Sequence, residues 1–252
     1  KKVPAQANGT SKSLGTRIYK YRGFYLMFLP VLVFAIIFFY LPMLGVRYAF
    51  TNYNGIKTPS FVGFDNFEKM FNMPGFWSAF TNTLEISIVK LVLTTFVAVV
   101  VSLFLNEIIN LHFKKVVQTI IYIPHFLSWV VTASLFSLIL APSGYGLVNT
   151  FLVNIGAIDS NEMIYFLGSS KWWRGAYYII NLWKETGWQT VIFMATLAGM
   201  NTELYEAASI DGAGRWGKMR YITFPALANT IQTVFIRNLA KVMNLFESAF
   251  VL

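Results

Sequence analysis

The chain has 252 residues, of which 56% are hydrophobic, 17% aromatic and only 12% charged; a soluble domain carries about twice that charge. With a mean hydropathy of +0.56, it reads as a protein that crosses a membrane several times. The net charge of +9 is not gathered on a nucleic-acid-reading motif, the absence of Cys excludes disulfides and thiolate chemistry, and two His are too few for a His-rich metal site.

A basic tail, residues 1–23, comes first. Five apolar stretches follow, at 24–50, 84–105, 116–140, 176–200 and 226–252. Each is long enough as a helix to cross roughly 30 Å of hydrocarbon, which takes about 20 residues. The fourth and fifth carry ionisable groups and are the weaker by hydropathy. Pro30, Pro42 and Pro124 lie in or near these stretches, where membrane helices tolerate kinks. The first stretch is too long for a signal-peptide core and lacks a small-residue cleavage site, so it is expected to be retained.

The loop 51–83 contains FVGFDNF and FWSAFTNTL, rich in aromatics and expected to be folded. The loop 141–175 opens on a Pro142–Gly144 turn. A short amphipathic helix is expected next, with Leu147, Val148, Phe151, Leu152 and Ile155 on one face. The basic residues sort by loop. Eleven lie before the first stretch, between the second and third, and between the fourth and fifth; Lys57, Lys69, Lys171 and Arg174 lie in the other loops. By the positive-inside rule the N-terminus and loop 201–225 face the cytoplasm.

Loop 201–225 carries a polar island, EAASIDGAGRWGKMRYITFP, from Glu206 to Pro225. Asn201 or Thr202 is a good N-cap, with Glu203 and Glu206 expected in the first turn, where the helix dipole favours acids. A short helix over 203–211 should stop at Gly212. A further turn over 216–221 is expected to end before Pro225. Ala207 and Ala208 are small enough to let another protein approach the backbone. Gly212, Gly214 and Gly217 match dinucleotide and phosphate-loop spacings only superficially. Both motifs need a preceding strand, and Met219 stands where a Mg²⁺-binding hydroxyl belongs. No ATPase is expected on this chain.

The island pairs Glu206-Ala207-Ala208 with Gly212 after three residues and, nine further on, Ile222-x-Phe224-Pro225. This spacing resembles the cytoplasmic EAA coupling loop of the membrane subunits of binding-protein-dependent ABC importers, in which Leu usually stands at the place of Phe224. The resemblance implies an all-α, polytopic helical bundle in the bacterial plasma membrane. It implies a permease that is not itself an enzyme and binds no cofactor, with ATP and Mg²⁺ held by a separate ATPase. Its partners would be a second homologous permease, a cytoplasmic ABC ATPase dimer and an extracytoplasmic solute-binding protein. The ATPase would dock on Glu203, Glu206, Ala207, Ala208, Asp211, Gly212 and Arg215. FVGFDNF, Asn82-Thr83-Leu84, Pro124 and Trp183 resemble the carbohydrate-uptake (maltose-type) branch, most closely permeases for oligosaccharides or polysaccharide fragments. The family core has six helices, so a sixth is expected outside this sequence.

Asn181, Glu185 and Gln189 recur every four residues and share a helix face. Sugars need hydroxyl partners of both kinds and a flat apolar ring. Trp183, Glu185, Gln189, Asn238, Asn244 and Glu247 are therefore the candidate substrate path. The structural alternative pairs Glu185 with Lys90, Arg237 or Lys241 and uses the amides as interhelical glue. His112 and His125 read as surface or interface residues without a metal role. A membrane enzyme would need a clustered catalytic constellation, which is not found; a channel would not need an ATPase dock. An importer of amino acids, peptides or phosphate is the alternative within transporters.

Overall fold

The computed structural model describes residues 14–56 and 58–252, so Lys1, Lys2, Lys12 and Lys57 of the charge count lie outside it. The chain divides into two compact units, 1–77 and 78–252.

In the first unit, α1 (Leu14–Lys20) precedes α2 (Arg22–Ala35). A π turn (Ile36–Tyr40), α3 (Leu41–Met43) and a 3-10 stretch (Leu44–Phe50) carry the helix onward. Arg22–Phe50 thus forms one helical span of 29 residues with a mean hydropathy of 2.6. Pro30 sits inside α2 and Pro42 inside α3. Each lacks an N–H, and the local π and 3-10 adjustments keep the rest of the ladder hydrogen-bonded. None of the most apolar window is buried, and the helix is apolar all round, as in a membrane span.

FVGFDNF forms a fastener beyond this span. Gly63 adopts φ +61, where glycine escapes the Cβ penalty. Thr51 and Phe61 pair across an antiparallel bridge, and α4 (Asp65–Asn72) follows. The Asn66 amide donates to the carbonyls of Ala49 and Thr51 at 2.9 and 2.8 Å. The rings of Phe50, Phe64 and Phe67 pack with centroids 5.2–5.9 Å apart.

The helix α5 (Pro74–Glu107) leads into the second unit. There α6 (Leu111–Tyr122), a 3-10 turn (Ile123–Phe126), α7 (Trp129–Ile139), α8 (Leu147–Asn154) and α9 (Ser170–Ala198) follow. The chain continues through α10 (Thr202–Ile210), α11 (Arg215–Lys218), a π turn (Met219–Thr223), α12 (Phe224–Leu239) and α13 (Phe246–Val251). The described residues contain no strand beyond the isolated bridge.

Helix α9 is the hub of this unit. It packs against α6, the 3-10 turn and α12, and twelve of its residues are buried. Lipid tails are as apolar as leucine, so helices in a membrane associate through close packing of small residues and through polar contacts. The buried face of α5 is of that kind, with Ser87, Thr94, Thr95, Ala98 and Ser102. Phe193, Met194 and Leu197 of α9 meet Ala98, Val99 and Leu105 of α5 and Leu227 and Val234 of α12. At Gly187 the backbones of α6 and α9 nearly touch: a Cβ there would lie 2.1 Å from the Ile121 carbonyl oxygen and 2.9 Å from the Tyr122 Cα.

Two of the expected spans are not single helices. The stretch 116–140 is broken at Leu127–Ser128, where α6 with its 3-10 turn and α7 bend by 105°. Pro124 opens the break and the Ser128 hydroxyl caps α7 by accepting from the Val131 N–H. The stretch 226–252 stops as a helix at Leu239 and resumes only at α13. The second span is longer than expected, starting at Pro74 rather than 84. The expected helix near 147–155 is present, but Leu147, Phe151 and Ile155 are exposed. What it buries is Asn149, which bonds the Ala141 and Ile164 carbonyls and the Ile164 N–H.

Gly187→Ala is expected to force α6 from α9 and to destabilise the purified protein by about 1–3 kcal/mol, the usual cost of overpacking. Gly175→Ala on the same helix, with nothing within 4 Å, should leave the thermal midpoint unchanged or raised. Thermal unfolding in detergent separates the two.

Candidate functional site

The two helix breaks face one another across a cavity of ≈ 510 Å³. His125 and Trp129 come from the first break, Lys241, Val242 and Asn244 from the second, and Asn181, Glu185, Trp188 and Gln189 from the middle turns of α9. Ser87, Lys90 and Thr94 of α5 close one side, with Arg237, Asn238 and Glu247 on another. Non-helical backbone at membrane depth is tolerated only where protein buries it or where it lines a wet cavity, and residues of both breaks line the cavity here.

Each break is held by side chains from the long helices. The buried Lys184 ammonium of α9 donates to the carbonyls of His125, at 3.2 Å, and Leu127. It also lies 5.4 Å from the centre of the Trp129 ring. These carbonyls sit at the negative end of a helical segment, where a cation is favoured. At the second break, the Ser87 hydroxyl donates to the Val242 carbonyl. Tyr177 and Ser248 share a buried hydroxyl bond of 2.9 Å, tying α13 to α9. Outside the cavity lining, Arg174 binds Glu85 at 2.7 Å and Asn82 at 2.8 Å, joining α9 to α5 through the Asn82-Thr83-Leu84 motif.

Five of the six expected path residues line this one cavity: Glu185, Gln189, Asn238, Asn244 and Glu247. Trp183 does not. Two positions on from Asn181, it lies roughly 160° round a helix of 3.6 residues per turn. It packs edge-on against Phe136 instead, with centroids 5.3 Å apart. The ring platform is made by Trp188 and His125, stacked at 5.0 Å and 14°. His125 therefore belongs to the cavity wall rather than to an outer surface. Its Nδ1 stands 3.4 Å from Glu185 Oε2, so the partner of Glu185 at ion-pair distance is this histidine and not Lys90, Arg237 or Lys241. Lys184 and Trp129 were not anticipated; Pro124 followed by the capping Ser128 inside an apolar run was the available signal.

A second feature is the helical hairpin after α9. The Asn201 side chain accepts from the Glu203 N–H at 2.9 Å, capping α10. Glu203 lies in the first turn and Glu206 one turn later. Gly212 has φ +80. Its N–H bonds the Ser209 carbonyl, and the Ala213 N–H bonds the Ala208 carbonyl at 2.8 Å, the paired pattern of a glycine-terminated helix. The next helical turn does not end before Pro225: it runs through the π turn into α12, and such a local π adjustment accommodates a proline that cannot donate. The Tyr205 hydroxyl bonds Thr223 Oγ1 at 2.9 Å, fixing α10 to the foot of α12. Glu203, Glu206, Ala207, Asp211, Gly212 and Arg215 are exposed and Ala208 is half-buried. Ile210 and Trp216 stand 88% and 81% exposed beside them.

Apolar helices around a broken-helix cavity, with a rigid exposed hairpin at one end, define a membrane transport component. Residues 97–249 match the family described as binding-protein-dependent transport system inner membrane component, and the chain belongs to that family. It is 37% identical over 245 residues to the polygalacturonan/rhamnogalacturonan transport system permease protein YteP of Bacillus subtilis (strain 168), covering 96% of this chain and 75% of that protein. Protein LplB of the same organism is 34% identical, covering 99% and 78%. Among solved structures, a bacterial alginate ABC transporter in complex with an alginate pentasaccharide-bound periplasmic protein has a similar chain. Its TM-score is 0.82 at 34% identity, covering 92% of this chain and 76% of that one.

Lys184→Met is expected to release the first break. Loss of its charge-assisted hydrogen bonds should cost about 1.5–3 kcal/mol, read as a lower thermal midpoint. Protease nicking near 127–128 should appear in the variant and not in the parent.

Proposed function

We propose that this chain is one permease subunit of an ATP-driven oligosaccharide importer and forms half of its translocation path. The observation that carries the reading is the cavity between the two helix breaks. Asn181, Gln189, Asn238 and Asn244 offer donors and acceptors for hydroxyls, and the Trp188–His125 stack offers a flat face for a sugar ring. The names of YteP and of the alginate transporter point to the same substrate class.

The partners are a second homologous permease, an extracytoplasmic solute-binding protein and a cytoplasmic ATPase dimer that holds ATP and Mg²⁺. The N-terminus and residues 201–225 face the cytoplasm, in keeping with the eleven-to-four distribution of basic residues. The ATPase docks on Glu203, Glu206, Ala207, Ala208, Asp211, Gly212 and Arg215, with Ile210 and Trp216 as apolar anchors. The Tyr205–Thr223 bond carries a displacement of α10 into α12, whose far end borders the cavity. Closure of the ATPase dimer thereby switches the bundle between inward-facing and outward-facing states.

The chain contains no Cys, so Ala208→Cys gives a single thiol for cross-linking in the assembled complex. A cross-link to the nucleotide-hydrolysing subunit supports the docking surface, and its absence in every nucleotide state would remove it. Gly212→Leu places an L-residue in a left-handed conformation, a strain of about 1–2 kcal/mol, and Ala207→Trp blocks close approach. Both are expected to abolish substrate-stimulated ATP hydrolysis while the subunit still inserts and assembles. Wild-type stimulation in both would contradict the coupling role.

A further inference from the structure

We propose that the cavity selects sugars bearing carboxylates, uronic-acid oligosaccharides, over neutral sugars of the same length; the inference rests on the import reading above and names the substrate class of that site. The first observation is a charge imbalance. Lys90, Arg237 and Lys241 line the cavity with two carboxylates, Glu185 and Glu247. Only two ion pairs exist among the described residues, His125–Glu185 and Arg174–Glu85. None of the three cavity cations lies at ion-pair distance from a carboxylate; Glu185 acts on Lys90 only over a longer range, and Arg237 and Lys241 are exposed. Charged side chains in the spanning part of a membrane protein are retained where they meet an opposite charge on a partner or a transported ion.

The second observation is independent of charge. Gln189 is 6% exposed and lines the cavity, and its Oε1 has no hydrogen-bond partner. Buried polar atoms left open cost free energy unless a ligand satisfies them. An oxygen acceptor such as Gln189 Oε1 calls for a donor, and a sugar hydroxyl is one. The ammonium groups of Lys90 and Lys241 and the Arg237 guanidinium call for acceptors with negative charge, and a guanidinium grips a carboxylate with two parallel bonds. A ligand that presents hydroxyls, a carboxylate and an apolar ring face within one residue is a uronate. A neutral sugar satisfies Gln189 and the Trp188 face but leaves the cations unmatched; a small inorganic anion does the reverse.

The test uses the complete importer with its binding protein, reconstituted in vesicles. Uptake is measured for tri-galacturonate and tri-mannuronate and for their carboxyl-reduced, neutral counterparts. The parent is expected to move at least one acidic trimer 10-fold or more faster than its neutral form. Lys90→Gln combined with Lys241→Gln should lose that acidic uptake 10-fold or more, and Lys90→Arg combined with Lys241→Arg should keep most of it. The binding protein is the same throughout, so a difference between these variants belongs to the cavity. Undiminished acidic uptake by the double Gln variant would overturn the proposal. So would failure of that variant, but not of the Arg variant, to assemble with the second permease, since the cations would then be intersubunit contacts. Rapid uptake of neutral trimers alone would overturn the acidic preference and leave sugar import standing. If no acidic or neutral saccharide is moved, the import reading itself falls.

Discussion

The fold depends on how side chains satisfy two interruptions of helical hydrogen bonding that border the cavity. Each break strands backbone carbonyls, and in hydrocarbon each stranded group costs several kcal/mol. Lys184 answers this at the first break with a buried ammonium on the His125 and Leu127 carbonyls. Ser87 does so at the second through Val242. A lysine in mid-span looks like a defect by hydropathy. Here it is the counterpart of the bent segment. Because both breaks are pinned to α5 and α9, the space between them has a defined shape.

The same economy governs helix packing. With no hydrophobic gain from pressing one apolar helix on another in lipid, contact comes from backbone proximity and hydroxyl groups. Gly187 lets α6 reach the α9 backbone. Thr196 and Thr230 join α9 to α12 through a 3.0 Å hydroxyl bond. Large apolar side chains are left uncovered on the first span: Arg22–Phe50 buries none of its most apolar window. The hairpin at Asn201–Thr223 follows a different logic, that of a water-exposed motif. It is fixed by a cap, a glycine stop and the Tyr205–Thr223 bond, and so behaves as a rigid part.

Features with local causes were readable from the sequence. Asn201 as a cap and Gly212 as a stop follow from short-range chemistry, and both stand where expected. The shared face of Asn181, Glu185 and Gln189 follows from helical periodicity, and all three line one cavity. The breaks were not readable in the same way. Hydropathy averages over side chains and does not register an interrupted backbone, although Pro124 and Ser128 marked the first one. The second, after Leu239, carries no Pro or Gly; α5 and α9 hold it through Ser87 and Tyr177, residues distant in sequence. Trp183 was chosen as a flat ring for a sugar and lies outside this cavity; rotation about the helix sets it opposite Asn181. The role of His125 was hidden because its partner, Trp188, lies 63 positions away on another helix.

The central claim is that the space between the breaks is a passage opened alternately to the two sides of the membrane. With no native Cys, Gln189→Cys offers a lone reporter in the cavity wall. Its rate of labelling by a membrane-impermeant thiol reagent, added to one side or the other of vesicles holding the complete importer, tests the claim most directly. The account predicts labelling from the cytoplasmic side without ATP and from the opposite side when the ATPase is trapped closed with the binding protein bound. Labelling from neither side in any state, or from one side regardless of nucleotide, would contradict it.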